Sequence, residues 1–340
     1  MSLTVKKILR EFGLIGLVRL PFVLLGILVH NVRLNLFRKD EKVLLGDIKK
    51  IKTLSIKDFS FIPFQKDESF KEGNLKWFYQ NKDKNRFWNN IENAAIVSSV
   101  ETTFEDELKV REMIPQDKDE AYYRFHDLNK GGNDQWEWFL TPWHRSIHWF
   151  SYLLWDKRYT NHLMPVYEFY KKWYREDFIW FTFVGTGSNI FACEAGKAYH
   201  CLNEYLLEGN TKMLERYIKH VNRVRYFIEH HFDNGVPMEG GIYARFLLMT
   251  VVHLDWIHRQ LGLEYRFFSN EFIEKYANYL NNSFTKDDGF ETSGDSHFEK
   301  TFMIENRVIH YFSQISEYPI FKEILKYYNP NKNHTIYLNK

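Results

Sequence analysis

Cysteine, proline and glycine are scarce in this chain. Its 340 residues hold 2 Cys, 8 Pro and 17 Gly. With so few breakers, many short strands joined by turns are disfavoured and long helices are expected. Cys193 and Cys201 are eight residues apart in a helical pattern, about 12 Å at 1.5 Å per residue. A disulfide needs Cα atoms within about 7 Å, so both are expected as free thiols. Free thiols fit a reducing compartment. Charge of one sign is missing too. A formal net charge of +2 leaves no broad basic field for nucleic acid.

A long hydrophobic run is also missing. The N-terminal stretch KKILREFGLIGLVRLPFVLLGILVH is broken by Arg19 and Pro21. Neither side of Arg19 reaches the roughly 20 apolar residues of a spanning helix. No small-residue cleavage site follows it, which argues against a secretory signal. Residues 1–45 are therefore expected as an apolar helical segment, buried or lying on a membrane surface through residues 11–30, with a signal anchor as the second reading. The matching location is cytoplasmic or membrane-associated, with a periplasmic location left open.

What the chain has in abundance is aromatic side chains, 10 Trp, 21 Tyr and 30 Phe. From Trp136 onward they recur at helical spacing. WHRSIHWFSYLLWDKRYTNHLMPVYEFYKKWY reads as two helices around a break near Asp156–Arg158. AYHCLNEYLLEGNTKMLERYIKHVNRVRYFIEHHF reads as a hairpin turning at Glu208-Gly209-Asn210, with Met213, Tyr217, Val221, Val224 and Phe227 on one face. A further helix carries Thr250, Leu254 and Ile257 and stops at Gly262. Residues 271–282 and 300–316 complete the set. Two loops share a shape, DNGVPMEGG and DDGFETSGDS, each with Asp, Gly, an acidic residue and Gly before a helix. No strand-rich segment stands out. The expected organisation is an apolar segment at 1–45, a mixed helical lead-in at 46–135, an all-α array of hairpins at 136–325 and a tail at 326–340.

Several residues could carry chemistry. GTGSN at 185–189 lacks the Gly-Lys-Ser/Thr of a phosphate-binding loop, so capping of a helix by Ser188 or Asn189 is the simpler reading. His144 and His148 are four apart on one helical face, a metal-ligand spacing. The glutamate of a zinc-protease pattern is absent, so they are read as core or groove histidines. Cys193 and His200 stack two turns apart, too far for a nucleophile and its base. Trp143, His144 and Arg145 stand at a loop–helix junction. There an aromatic face could stack on a sugar ring and an arginine could hold a carboxylate, or all three could be core. Glu239 and Tyr243 are four apart across a helix start, where they could do acid–base work or cap and pack.

Together these motifs resemble the helical toroid domain of heparinase II/III-type polysaccharide lyases. WEWFLTPWHRSIHW with the following KRYTNHLMPVYEFYKKW is similar to that family's tryptophan-rich opening hairpin. SNIFACEA is similar to its Asn-bearing helix start, and DNGVPMEGGIYARF to its loop with Asp-Gly, Glu-Gly and Tyr. The separation along the chain between Asn189 and Tyr243 is of the family's kind. DDGFETSGDS is similar to a later loop ending in Gly-Asp-Ser. The resemblance covers roughly 135–300.

The resemblance implies an all-α fold, an incomplete (α/α) toroid of helical hairpins. It also implies β-elimination on a uronic-acid polysaccharide, with no cofactor and no metal. Asn189 would neutralise the substrate carboxylate, and Tyr243 would act as acid toward the leaving glycosidic oxygen. Trp143, Arg145, Glu194, Glu239 and Asp295 would line the groove. The β-sandwich that usually follows in that family often supplies a catalytic histidine, and the residues after the helical array are too few for one. The base would then be His144, His200 or His297, with His144 taken first, or Tyr243 alone. Three other readings stay open. One is a non-catalytic module that binds glycan or assembles in polysaccharide synthesis or export. Another is a glycoside hydrolase using Glu239 and Asp295. The third is a uronate epimerase.

Overall fold

The computed structural model describes residue 18, part of 21–34, residues 36–60, part of 91–98, and residues 104–114, 147–180, 188–237, 241–285, 289–290 and 306–326. For 106, 109, 113, 172–180, 188–192, 241–247, 285, 289–290 and 306 it describes the backbone alone. Among these residues the fold is mainly α. The helices are α1 (helical positions within 18–36), α2 (Glu41–Ile51), α3 (Phe104–Met113), α4 (helical residues 147–155), α5 (Thr160–Trp180), α6 (Ser188–Glu208) and α7 (Lys212–His231). They continue with α8 (Gly241–Gln260), α9 (Asn270–Ser283), α10 (Asn306–Ile315) and α11 (Pro319–Lys326).

The expected break at Asp156–Arg158 is a turn. Asp156 accepts from the Arg158 backbone N–H at 3.0 Å and pairs with its guanidinium at 2.6 Å. The α6–α7 hairpin closes where expected. Gly209 takes φ 69, a left-handed backbone that glycine adopts without a Cβ penalty. Its N–H returns to the Tyr205 carbonyl at 2.8 Å. The buried face of α7 includes Met213, Tyr217, Val221, Val224 and Phe227, the five positions its periodicity picks out. Helix α9 starts on Ser269, whose hydroxyl accepts from the Phe272 N–H at 3.1 Å.

Two features differ from the sequence reading. Both look-alike loops open as two-residue antiparallel ribbons, β1 (Phe232–Asp233) with β2 (Val236–Pro237) and β3 (Phe284–Thr285) with β4 (Gly289–Phe290). Strands this short leave no alternation to read. The first turns through Asn234 at φ 50 and Gly235 at φ 84, the Asn-Gly turn that suits a tight hairpin. A Cβ on Gly235 would lie 2.3 Å from the Lys275 carbonyl carbon on α9, so the turn is pressed against that helix. The second difference is at the N-terminal side. The expected boundary at 45/46 falls inside α2, and α2 is fastened to the helical array. The buried Asp47 carboxylate accepts from the Glu264 and Tyr265 N–H groups at 2.7 and 2.8 Å.

Helix α6 packs against both α7 and α8. It runs antiparallel to α7 across a three-residue turn, and the β1–β2 ribbon turns the chain again into α8. So α6 and α8 are parallel neighbours whose N-termini point to one end of the array.

Candidate functional site

The parallel pair α6 and α8 can be placed in register through one residue of α4. The His148 ring lies 6.2 Å from the Tyr199 ring on α6 and 4.2 Å from the His253 ring on α8. Tyr199 comes ten residues after Asn189, and His253 ten after Tyr243. Asn189 and Tyr243 therefore each stand about 15 Å along their own helix from one shared histidine, in the same direction. Asn189 is the second residue of α6 and Tyr243 the third of α8. These first turns carry N–H groups without helical partners and the positive ends of two dipoles, an arrangement that favours an anion.

Of the other expected site residues, Trp143, His144, Arg145, Glu239 and Asp295 lie outside the described residues, as do 185–187 and His297. Glu194 is described, and its side chain is buried at 5% exposure. It stands one turn and a half beyond Asn189 and turns toward α7. One carboxylate oxygen meets His220 Nδ1 at 2.7 Å. The other accepts from Arg223 Nη1 at 3.3 Å and Lys197 Nζ at 3.4 Å. Burial alone would raise its pKa. Lys197, His220 and Arg223 together outweigh that and hold the carboxyl well below its usual range. His220 is pushed down because burial outweighs its attraction to Glu194. The pair is therefore a carboxylate accepting from a neutral imidazole N–H. Lys219 is half-buried beside the same groups, and its pKa is lowered by burial and by Arg223.

A second buried polar region lies deeper along α6. The Tyr152 hydroxyl stands 3.1 Å from His253 Nδ1. Burial pushes the Tyr152 pKa up and the His253 pKa down, with His148 and Arg307 adding to the second shift. So both are neutral, and the phenol and the imidazole share one hydrogen bond. His148 is lowered by burial and then by Arg307. Among the described residues neither of its ring nitrogens has a hydrogen-bond partner, nor does His253 Nε2. The Arg307 guanidinium lies over the Trp149 ring at 5.0 Å. One turn on, Asn203 Nδ2 donates to Ser151 Oγ at 3.0 Å.

Sequence reading named Glu194 and weighed His148. It did not pick out Lys197, His220, Arg223, Tyr152, Tyr199, His253 or Arg307. The signal available was polar residues falling on otherwise apolar helix faces, such as His253 within TVVHLDWIH. Cys193 and Cys201 are both buried. His200 is buried as well. Among the described residues no group of three or more His, Cys, Asp or Glu could hold a metal ion. No protein-family model, curated protein or solved structure matches this chain.

Proposed function

We propose that this protein is a polysaccharide lyase-type enzyme on an incomplete (α/α) toroid, acting on a uronic-acid glycan by β-elimination. The observation that supports this most is the in-register packing of α6 and α8. It brings the backbone positions of Asn189 and Tyr243, far apart in sequence, to one end of two parallel helices. Two helix N-termini side by side suit the carboxylate that such a substrate carries.

In this reading Asn189 donates to the uronate carboxylate. The adjacent C–H bond becomes acidic as charge spreads onto that carboxylate. Preorganised donors of this kind contribute about 2.7–4 kcal/mol. Tyr243, as phenolate, takes the proton from that carbon. The C–H electron pair forms the carbon–carbon double bond, and the glycosidic C–O bond breaks. Tyr243 returns its proton to the departing oxygen, so the tyrosine ends as it began. Glu194 serves from within the protein, holding Lys197 and Arg223 against the first half of α6. Trp143, His144, Arg145, Glu239 and Asp295 keep the groove and acid–base roles that the resemblance gives them.

The test is incubation with uronate polymers while following the ultraviolet absorbance of the unsaturated product. Tyr243→Phe is expected to lower the rate by about 10²–10⁴-fold. Asn189→Ala is expected to lower it by about 10²–10³-fold. A Tyr243→Phe variant as active as the parent would remove Tyr243 from the chemistry. Tight glycan binding with no double bond formed would replace the lyase by the glycan-binding module.

A further inference from the structure

Helix α1 carries an apolar face that the rest of the described structure leaves uncovered. Val18, Phe22, Leu25, Val29, Val32 and Leu36 are 71, 75, 58, 44, 47 and 73% exposed. Their spacing is four, three, four, three, four. At about 100° per residue, all six fall within roughly 80° of the helix circumference. The base of α1 is fixed. Leu34 is buried, the Phe37 ring meets the Tyr226 ring of α7 edge-on at 5.3 Å, and Lys39 pairs with Glu229. So α1 is held to the array at its C-terminal end while its apolar stripe faces outward.

Charge decides what covers this stripe. From residue 12 to residue 39 the chain has no Asp or Glu, while Arg19 and Arg33 bracket the stripe's centre. The three-four spacing also fits a coiled-coil seam with a second copy. The positions flanking such a seam would be Arg19, Gly26 and Arg33 on one side and Pro21, Leu28 and Asn35 on the other. No acidic residue is there to answer the arginines of the partner helix, and Pro and Gly are poor seam neighbours. The stretch between Arg19 and Arg33 falls short of the roughly 20 apolar residues of a spanning helix, so it suits lying in an interface. We infer that α1 is a membrane-surface helix. Its stripe enters the headgroup–acyl boundary of an anionic bilayer, and its arginines meet lipid phosphates.

The experiment is flotation of the full-length protein with vesicles, either phosphatidylcholine alone or phosphatidylcholine mixed with phosphatidylglycerol. The expected result is binding to the mixed vesicles that weakens as salt rises. Leu25→Glu with Val29→Glu is expected to weaken it by about tenfold or more. Arg33→Gln is expected to weaken it about fivefold on mixed vesicles and to leave the neutral ones unchanged. All three positions are exposed, so circular dichroism and the melting temperature should stay at parental values. Four outcomes would overturn the inference. They are no flotation with either vesicle, equal flotation with both, a dimer in sedimentation that Leu25→Glu dissolves without any lipid binding, and a protein released from membranes only by detergent.

Discussion

Glu194 and Tyr199 are five residues apart on α6, yet they look into different kinds of interior. Glu194 turns toward α7 and finds Lys197, His220 and Arg223. Tyr199 turns toward α4, where its neighbours are the His148 ring and, beyond it, His253. Both regions are sealed from water. In the first, charge survives burial because it is paired and hydrogen-bonded. In the second, burial has removed the charge by lowering both histidines and leaving the imidazoles neutral. One region holds an anion by surrounding it, and the other holds titratable rings by keeping protons off them. The difference is set by what each helix face presents. The α7 face offers Arg223 and His220, whereas α4 offers Trp149, Tyr152 and His148.

The largest effect should come from breaking the first region. Glu194→Ala takes away the anion shared by Lys197, His220 and Arg223. Breaking a buried pair by removing one partner costs about 3–5 kcal/mol, and urea unfolding at neutral pH would measure it. Glu194→Gln keeps the shape and an acceptor, so it should cost less than Ala. A loss below about 1 kcal/mol for Glu194→Ala would mean the ionic description of this region is wrong.

Acid should separate the two regions next. His148 and His253 are held below the ordinary histidine value of 6.5. Below pH 6.5 the unfolded chain therefore binds protons that the folded chain refuses. Their stability is complete above that pH and falls as pH drops through it. The slope is up to about 1.4 kcal/mol per pH unit for each ring. His220 and His258, the latter lowered to about 4, add to the same window. Glu194 has the same sense in a lower window. Its carboxyl is held below the ordinary 4.5, so its contribution is present above that pH and lost only as pH falls below it. Unfolding free energies from pH 8 to pH 2 should thus fall in two stages. His148→Phe should flatten the upper stage, and Glu194→Gln the lower one. A curve flat between pH 7 and pH 5 would contradict the neutral, buried state of these histidines.

Much of the fold was legible because it is local. The turn at Gly209, the break after Trp155 and the apolar face of α7 all follow from residues a few positions apart. What joins distant segments was not. Asp47, near the start of the chain, reaches the Glu264 and Tyr265 N–H groups far along it, and no periodicity announces such a clamp. The site was legible to the same extent. Glu194 was named through the resemblance as a groove residue, but sequence could not say that its oxygens face α7. His253 looked like one more residue of an apolar helix, because the rings that surround it belong to a helix much earlier in the chain. Asn189 and Tyr243 gained a shared position only when α6 and α8 proved to be parallel neighbours.

The smallest effect tests the comparison from the other side. At neutral pH, His148→Phe removes two buried ring nitrogens that have no hydrogen-bond partner among the described residues. An unmatched buried polar group costs about 1–3 kcal/mol, so its removal is a gain. The phenyl ring is larger than imidazole, and a filled interior resists added volume by about 1–3 kcal/mol. With Trp149 at 4.9 Å and His253 at 4.2 Å between ring centroids, there is little slack. The two terms oppose each other, and the variant should stay within about 1 kcal/mol of the parent in urea unfolding. A stability equal to the parent's would mark this region as one where polarity is dispensable for folding, in contrast to Glu194. A loss as large as that of Glu194→Ala would mean that His148 holds a hydrogen bond the neutral description omits, and the contrast between the two regions would fall.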